Sequence, residues 1–290
     1  MPKIQVNDID IHYIFRGEGK NVMLLHGITS SLAMWFNGLY QQLSEHYRVT
    51  AYDLRGHGLS GLTPAGYNSG AMAADLLGLM DKLEIEKVTL VGHSFGGAVS
   101  LHMAMEHPER VEGVVLLDTG LACLRYLRII SEWSGWERPP GSGMDIGITL
   151  EDFLDLDSKQ DVTEVLRHGL SLPRRTGFRK GQVGMTPRLQ RLLDETTLGY
   201  EFRDVAGMTE DRLRNVETPV LALYGETSPY QKMATHLSGL LQNCRPEVLI
   251  GTGHFSAVMR PEVIVRPVEA FISDPMGYVK SAPVALTQEG

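Results

Sequence analysis

The 290 residues are 43% hydrophobic and 21% charged with a formal net charge of −8, which excludes disordered and fibrous classes and argues against nucleic acid or an anionic membrane surface as the main partner. Two cysteines, Cys123 and Cys244, lie far apart without metal-ligand spacing, so neither a disulfide framework nor a zinc site is indicated, and none is expected. No apolar run approaches the ~18 residues that a membrane span needs, and the first residues carry no apolar targeting segment, so a cytoplasmic location is expected.

Lys3–Val6 and Ile9–Phe15 read as strands joined by the turn dipeptide Asn7-Asp8. Val22–Leu25 is a continuous apolar run, the mark of a strand covered on both faces, and it ends in His26-Gly27-Ile28. Ser30 is expected to cap a helix through Leu43, with Trp35 packed in the core in preference to reaching the pocket. The strand Arg48–Tyr52 follows, then the glycine-dense loop Asp53–Ser60, in which Asp53, Arg55 and His57 read as a loop-fixing network rather than a catalytic set. His26 reads as structural, a brace for its own loop.

An amphipathic helix over Ala71–Leu83 leads into Lys87–Gly92, a β-branched strand, and a helical pattern opens directly after Ser94 and stops at His107-Pro108. Val111–Leu117 is another apolar strand, ending in Asp118. Strands alternating with helices in this way predict a mainly parallel sheet.

From 121 to 215 the long apolar runs cease, short helical patterns and a Pro/Gly break appear, and a helical lobe inserted after the sixth strand is expected. Its basic cluster Arg174, Arg175, Arg179 and Lys180 reads as a solvated face. Pro219–Gly225 resumes the sheet. A helix containing Met233 and Leu237, a strand over Glu247–Ile250, the loop Gly251–Phe255 and a last helix over Pro261–Ile272 complete it. From Asp274 the tail is expected to be extended or mobile.

Chemistry concentrates at Gly92-x-Ser94-x-Gly96. Glycines flanking a strand-to-helix turn allow close approach, lift Ser94 above the sheet edge and aim the Phe95 amide at charge developing beside its hydroxyl. An oxyanion hole needs a second donor, and the amide of Ile28 after Gly27 is the candidate. A serine nucleophile also needs a base. His254, in a short loop after the terminal strand, fits that role, and the chain order serine, acid, histidine matches this architecture.

Four motifs in order, Leu25-His26-Gly27, Asp53–Ser60, Gly92–Gly97 and Gly253-His254-Phe255, resemble those of the α/β-hydrolase superfamily, close to its small capped esterase-like branch. The resemblance covers residues 3–273. It implies an α/β fold with a mainly parallel eight-stranded sheet flanked by helices, a core of 1–120 and 216–273, a helical cap of 121–215 inserted after the sixth strand, and a tail of 274–290. It further implies Ser94 as nucleophile, His254 as base, and the Ile28 and Phe95 amides as oxyanion donors.

The acid departs from the family pattern, because the position after Gly225 where many relatives carry aspartate holds Ser228. Asp118, at the end of the strand beside the nucleophile's, is the favoured replacement, since a strand-end carboxylate is rigidly aimed. Glu226 is the alternative. With serine attacking, the chemistry fits hydrolysis of a small-molecule carboxylic ester or lactone through an acyl-enzyme, without a cofactor. A thioesterase, a carbon–carbon bond hydrolase and a non-catalytic ligand sensor are the competing readings. Tyr126, Trp133, Trp136, Met144, Phe153 and Phe178 are available to line an apolar pocket, with none assigned individually.

Overall fold

The structure is a computed structural model and describes residues 2–127, 163, 166, 167, 186–254 and 260–281. Its frame is one eight-stranded sheet in the order β1-β2-β4-β3-β5-β6-β7-β8. The strands are β1 Lys3–Val6, β2 Ile9–Arg16, β3 Asn21–Leu25, β4 Arg48–Tyr52, β5 Val88–His93, β6 Val111–Leu117, β7 Val220–Gly225 and β8 Cys244–Leu249. β1 with β2 and β2 with β4 pair antiparallel, and every other pair is parallel.

The helices are α1 Leu39–Leu43, α2 Ser69–Lys82, α3 Phe95–Glu106, α4 Pro187–Asp194, α5 Leu198–Glu201, α6 Glu210–Leu213, α7 Gln231–Leu240, α8 Pro261–Ser273 and α9 Pro275–Lys280. None of the described helices is long and apolar enough to cross a membrane.

Residues alternate between the two faces of the sheet, so a strand buried on both sides must be apolar at every position. Met23, Leu25, Leu90, Val114, Leu116 and Ala222 enter a core with α2, α3 and α7, whereas Val22, Leu24, Val91, Val115, Leu117 and Leu221 enter a second core with α1 and α8. Trp35 is buried in this second core, as its spacing suggests. The two cores clamp the central strands, and their C-terminal ends are therefore fixed platforms for β5, β6 and β7 loop residues.

The Asn7-Asp8 hairpin forms with Val6 opposite Ile9, and Asn7 takes the left-handed backbone (φ 51°) that such a turn requires. Three expectations are corrected. The single helix expected from Ser30 to Leu43 is a 3-10 turn over Leu32–Asn37 followed by α1, divided at Gly38 (φ 130°). Its first amide, Leu32 N–H, donates to the Asp53 carboxylate at 2.8 Å, so a distant loop supplies the cap expected of Ser30. β8 begins at Cys244, three residues before the expected Glu247; at the sheet edge Pro246 interrupts no inner ladder. The start of the tail expected to be extended or mobile from Asp274 forms α9 instead, with the Asp274 side chain accepting from Gly277 N–H at 3.0 Å, while residues 282–290 lie outside the described residues. Asp274 is a capping residue where composition suggested a fraying end.

Candidate active site

The turn between β5 and α3 carries Ser94 at φ 52°, ψ −120°, a backbone region that a non-glycine residue enters only at a cost of about 1–3 kcal/mol. Its own amide donates to Leu117 O of β6 at 2.9 Å, which ties the turn to the neighbouring strand. The flanking glycines have a steric cause. A Cβ on Gly92 would collide with the Gly96 carbonyl, and one on Gly96 with the carbonyl oxygens of Leu25 and His26. The helix therefore begins close enough for its first amides to stand beside the Ser94 side chain.

β3 ends in the loop that packs against this turn. A Cβ on Gly27 would lie 3.1 Å from Ser94 Cβ and 3.2 Å from His93 Nδ1, so the chain reaching Ile28 passes directly over the serine. Among the described residues, neither Ile28 N–H nor Phe95 N–H donates to a carbonyl.

The loop is braced by imidazoles, as the sequence suggested for His26. His26 Nδ1–H donates to Gly27 O at 2.8 Å and its Nε2 accepts from Leu54 N–H at 3.0 Å. His57 Nε2 accepts from Thr29 N–H at 3.0 Å while its Nδ1–H donates to Arg55 O at 2.7 Å. Each ring must be neutral to accept an amide, and burial drives both toward that form: the His57 pKa falls to about 3, and that of His26 is also lowered. Asp53 accepts from Leu32 N–H, Leu59 N–H and His12 Nδ1–H at 2.7 to 2.8 Å. Arg55 forms a two-pronged pair with buried Asp75 at 2.7 and 2.8 Å. These contacts are the loop-fixing network expected of Asp53, Arg55 and His57.

Asp118 follows β6 in a left-handed conformation (φ 50°) and is 1% exposed. One carboxylate oxygen accepts from Gly225 N–H at 2.7 Å; the other accepts from the Ser228 hydroxyl and faces His254 Nδ1 at 3.6 Å. Ser228, the position the family pattern fills with aspartate, thus serves as a hydrogen-bond donor to Asp118. Glu226 is exposed, and its Oε2 accepts from Gly251 N–H at 2.9 Å. The structure brings Asp118 to His254 and assigns Glu226 to the loop after β8.

That loop is held by Thr227, whose amide and hydroxyl both donate to Thr252 O, at 3.0 and 3.1 Å. His254 is 8% exposed, with the rings of His93 and Tyr230 at 5.0 and 5.2 Å centroid separations. His93, Tyr230 and Ser228 were not singled out from the sequence as parts of the site. His93 carried a signal there in its place immediately before Ser94, and Ser228 in filling the position where many relatives carry aspartate, whereas Tyr230 carried none.

Tyr126 is described and exposed, its hydroxyl donating to Glu210 at 2.8 Å. Trp133, Trp136, Met144, Phe153 and Phe178, the basic cluster at 174–180 and Phe255 lie outside the described residues. Cys123 and Cys244 are free, and burial raises their thiol pKa values to about 11 and about 12, so neither is an activated nucleophile.

A strained serine turn at the end of an inner parallel strand, opposed by a glycine loop and a buried strand-end carboxylate, is the arrangement characteristic of the α/β-hydrolase fold. The family model for the alpha/beta hydrolase fold matches residues 20–144. An uncharacterized protein of Mycobacterium tuberculosis is 38% identical across 94% of this chain and 82% of its own length. A 2-hydroxy-6-oxo-2,4-heptadienoate hydrolase of Pseudomonas putida is 26% identical across 89% of this chain and 90% of its own. A carboxylesterase structure from Bacillus subtilis superposes with a TM-score of 0.63 at 21% identity, covering 93% of this chain and 90% of that one, a likeness of fold. The chain belongs to the α/β-hydrolase superfamily.

Proposed function

We propose that the protein is a serine hydrolase that cleaves a small-molecule carboxylic ester or lactone with Ser94, His254 and Asp118. The observation that carries this reading is the approach of the buried Asp118 carboxylate to His254 Nδ1, 3.6 Å, beside a serine held at φ 52°. Separations of this size are common in unliganded sites and shorten when substrate binds. His254 Nε2 takes the proton of Ser94 Oγ as the oxygen attacks the carbonyl carbon, and Asp118 stabilises the resulting imidazolium. The Ile28 and Phe95 amides donate to the tetrahedral oxyanion. Collapse expels the alcohol, protonated by His254, and water activated by the same imidazole then releases the acid from the acyl-enzyme. The reaction needs neither metal nor cofactor.

Residues 121–215 act as a cap over this site, and 1–120 with 216–273 as the core that carries it. Free, high-pKa thiols suit a reducing, cytoplasmic setting. The Pseudomonas putida relative favours a second reading, hydrolysis of a carbon–carbon bond by the same three residues, because its named substrate is a keto acid and not an ester.

p-Nitrophenyl acetate to octanoate and a fluorophosphonate probe test the proposal. Turnover with labelling at Ser94, both abolished in Ser94→Ala, is expected. A folded protein that neither labels nor turns over any ester overturns the ester reading, and labelling without ester turnover favours the carbon–carbon alternative.

A further inference from the structure

His93 is the last residue of β5, stands immediately before Ser94 and is 3% exposed. Its Nε2 lies 2.8 Å from the backbone carbonyl oxygen of His254, a partner 161 positions away in the chain. A carbonyl only accepts, so this nitrogen carries the proton and the ring's tautomer is fixed. The two rings are 5.0 Å apart and inclined at 38°, with Tyr230 set edge-on to His254 at 5.2 Å. His93 also abuts the glycine loop, since a Cβ on Gly27 would lie 3.2 Å from its Nδ1. The strand that presents the nucleophile is therefore bonded directly to the residue that must activate it. Burial together with the neighbouring His254 ring lowers the His93 pKa to about 4, which keeps the ring a neutral donor across the range in which a histidine base operates.

We propose that His93 is a positioning residue: its Nε2–H, bonded to the His254 carbonyl, holds the His254 imidazole with Nδ1–H toward Asp118 and Nε2 as the acceptor of the Ser94 proton. The proposal rests on the reading of Ser94, His254 and Asp118 as the catalytic set. Its physical content is that the serine and its base share one rigid strand end, so their separation does not depend on the loop after β8 alone. Thr227 fixes that loop only as far as Thr252. A misplacement of about 1 Å at a reacting pair lowers the rate about 100-fold.

Two variants separate the donor from mere packing. His93→Leu fills the space without a donor, and His93→Gln places an amide N–H near the same point. Rates are measured per fluorophosphonate-titrated site with p-nitrophenyl butyrate across pH. Histidine nitrogen NMR reports tautomers independently of turnover.

In His93→Leu, kcat falls about 100-fold with KM within about threefold, and His254 shows mixed tautomers. His93→Gln restores kcat to within about fivefold and returns a single His254 tautomer. A folded His93→Leu protein with kcat within threefold and a single His254 tautomer overturns the proposal, as does a Gln variant as impaired as the Leu variant.

Should His93→Leu fail to fold, the wild-type spectrum decides. Nε2–H on His93 with Nδ1–H on His254 supports the proposal, and the opposite tautomer at either ring defeats it. Turnover retained in Ser94→Ala would sink the catalytic reading by itself, leaving the tautomer measurement to judge His93.

Discussion

Lowering the pH should unfold this protein through histidines that take no part in bond breaking. His57 is neutral in the fold with a pKa of about 3, and His93 with one of about 4, because burial penalises their charged forms. In the unfolded chain each titrates near 6.5. The unfolded state thus binds more protons between those limits, so stability rises with pH there. The contribution is fully present above about pH 6.5 and is lost as pH falls toward the folded values.

At pH 5 each ring disfavours the fold by about 2 kcal/mol relative to neutral pH, about 4 kcal/mol for the pair, rising to about 6 at pH 4. Domains of this kind have total stabilities of about 5–15 kcal/mol, so the loss is a large fraction. A protonated His57 also ceases to accept from Thr29 N–H, and a protonated His26 from Leu54 N–H, so the loop bearing Ile28 should loosen first. Urea unfolding at pH 7 and pH 5 measures the difference, and His93→Gln should remove about half of it. A loss below about 1 kcal/mol at unchanged urea slope would refute the reasoning, because these rings would then have to be solvated or charged in the fold.

Asp118→Asn should lower kcat about 10³- to 10⁴-fold, the loss expected when the tautomer-fixing carboxylate is removed, while Glu226→Gln should change it less than tenfold. The reverse pattern in steady-state kinetics would transfer the acid to Glu226. Gly96→Ala, which drives a methyl group into the carbonyls of Leu25 and His26, should cost at least about 3 kcal/mol or prevent soluble expression, as read by thermal melting. Arg55→Met should destabilise by about 3–5 kcal/mol, because it leaves the 2% exposed Asp75 carboxylate without a cation, its remaining side-chain partner being the neutral Asn7 amide. The double variant Arg55→Met/Asp75→Leu should recover most of that stability, and a melt showing no recovery would indicate that the arginine acts through Asp8 or Thr63 instead.

Much of the site was legible because it is local in sequence. Gly92, Ser94 and Gly96 are forced together by one turn, whose steric needs admit few other residues, and the apolar runs of β3, β5, β6 and β7 follow from burial on both faces. The Gly92 requirement acts within the turn itself and the apolar runs show as unbroken stretches, so both can be read from neighbouring residues, although Gly96 answers to the distant carbonyls of Leu25 and His26.

The acid was different. Asp118 and Glu226 were separable only by aim and exposure, which depend on the parallel register of β6 and β7 and on the path of the loop after β8. Ser228 looked like a vacated position, and only the fold, by setting its hydroxyl against a carboxylate 110 residues earlier, makes it a donor to Asp118. The same holds for Asp53, which caps the 3-10 turn expected to be capped by Ser30, and for His93, whose bond to His254 spans 161 residues. The sequence by itself determined the strained turn at Ser94 and the two-sided sheet, because the one answers to short-range sterics and the other to periodicity. The tertiary structure alone decided which of the two carboxylates faces His254 and which strand end bonds to its backbone, because residues so far apart in the chain meet only once packing has brought them together.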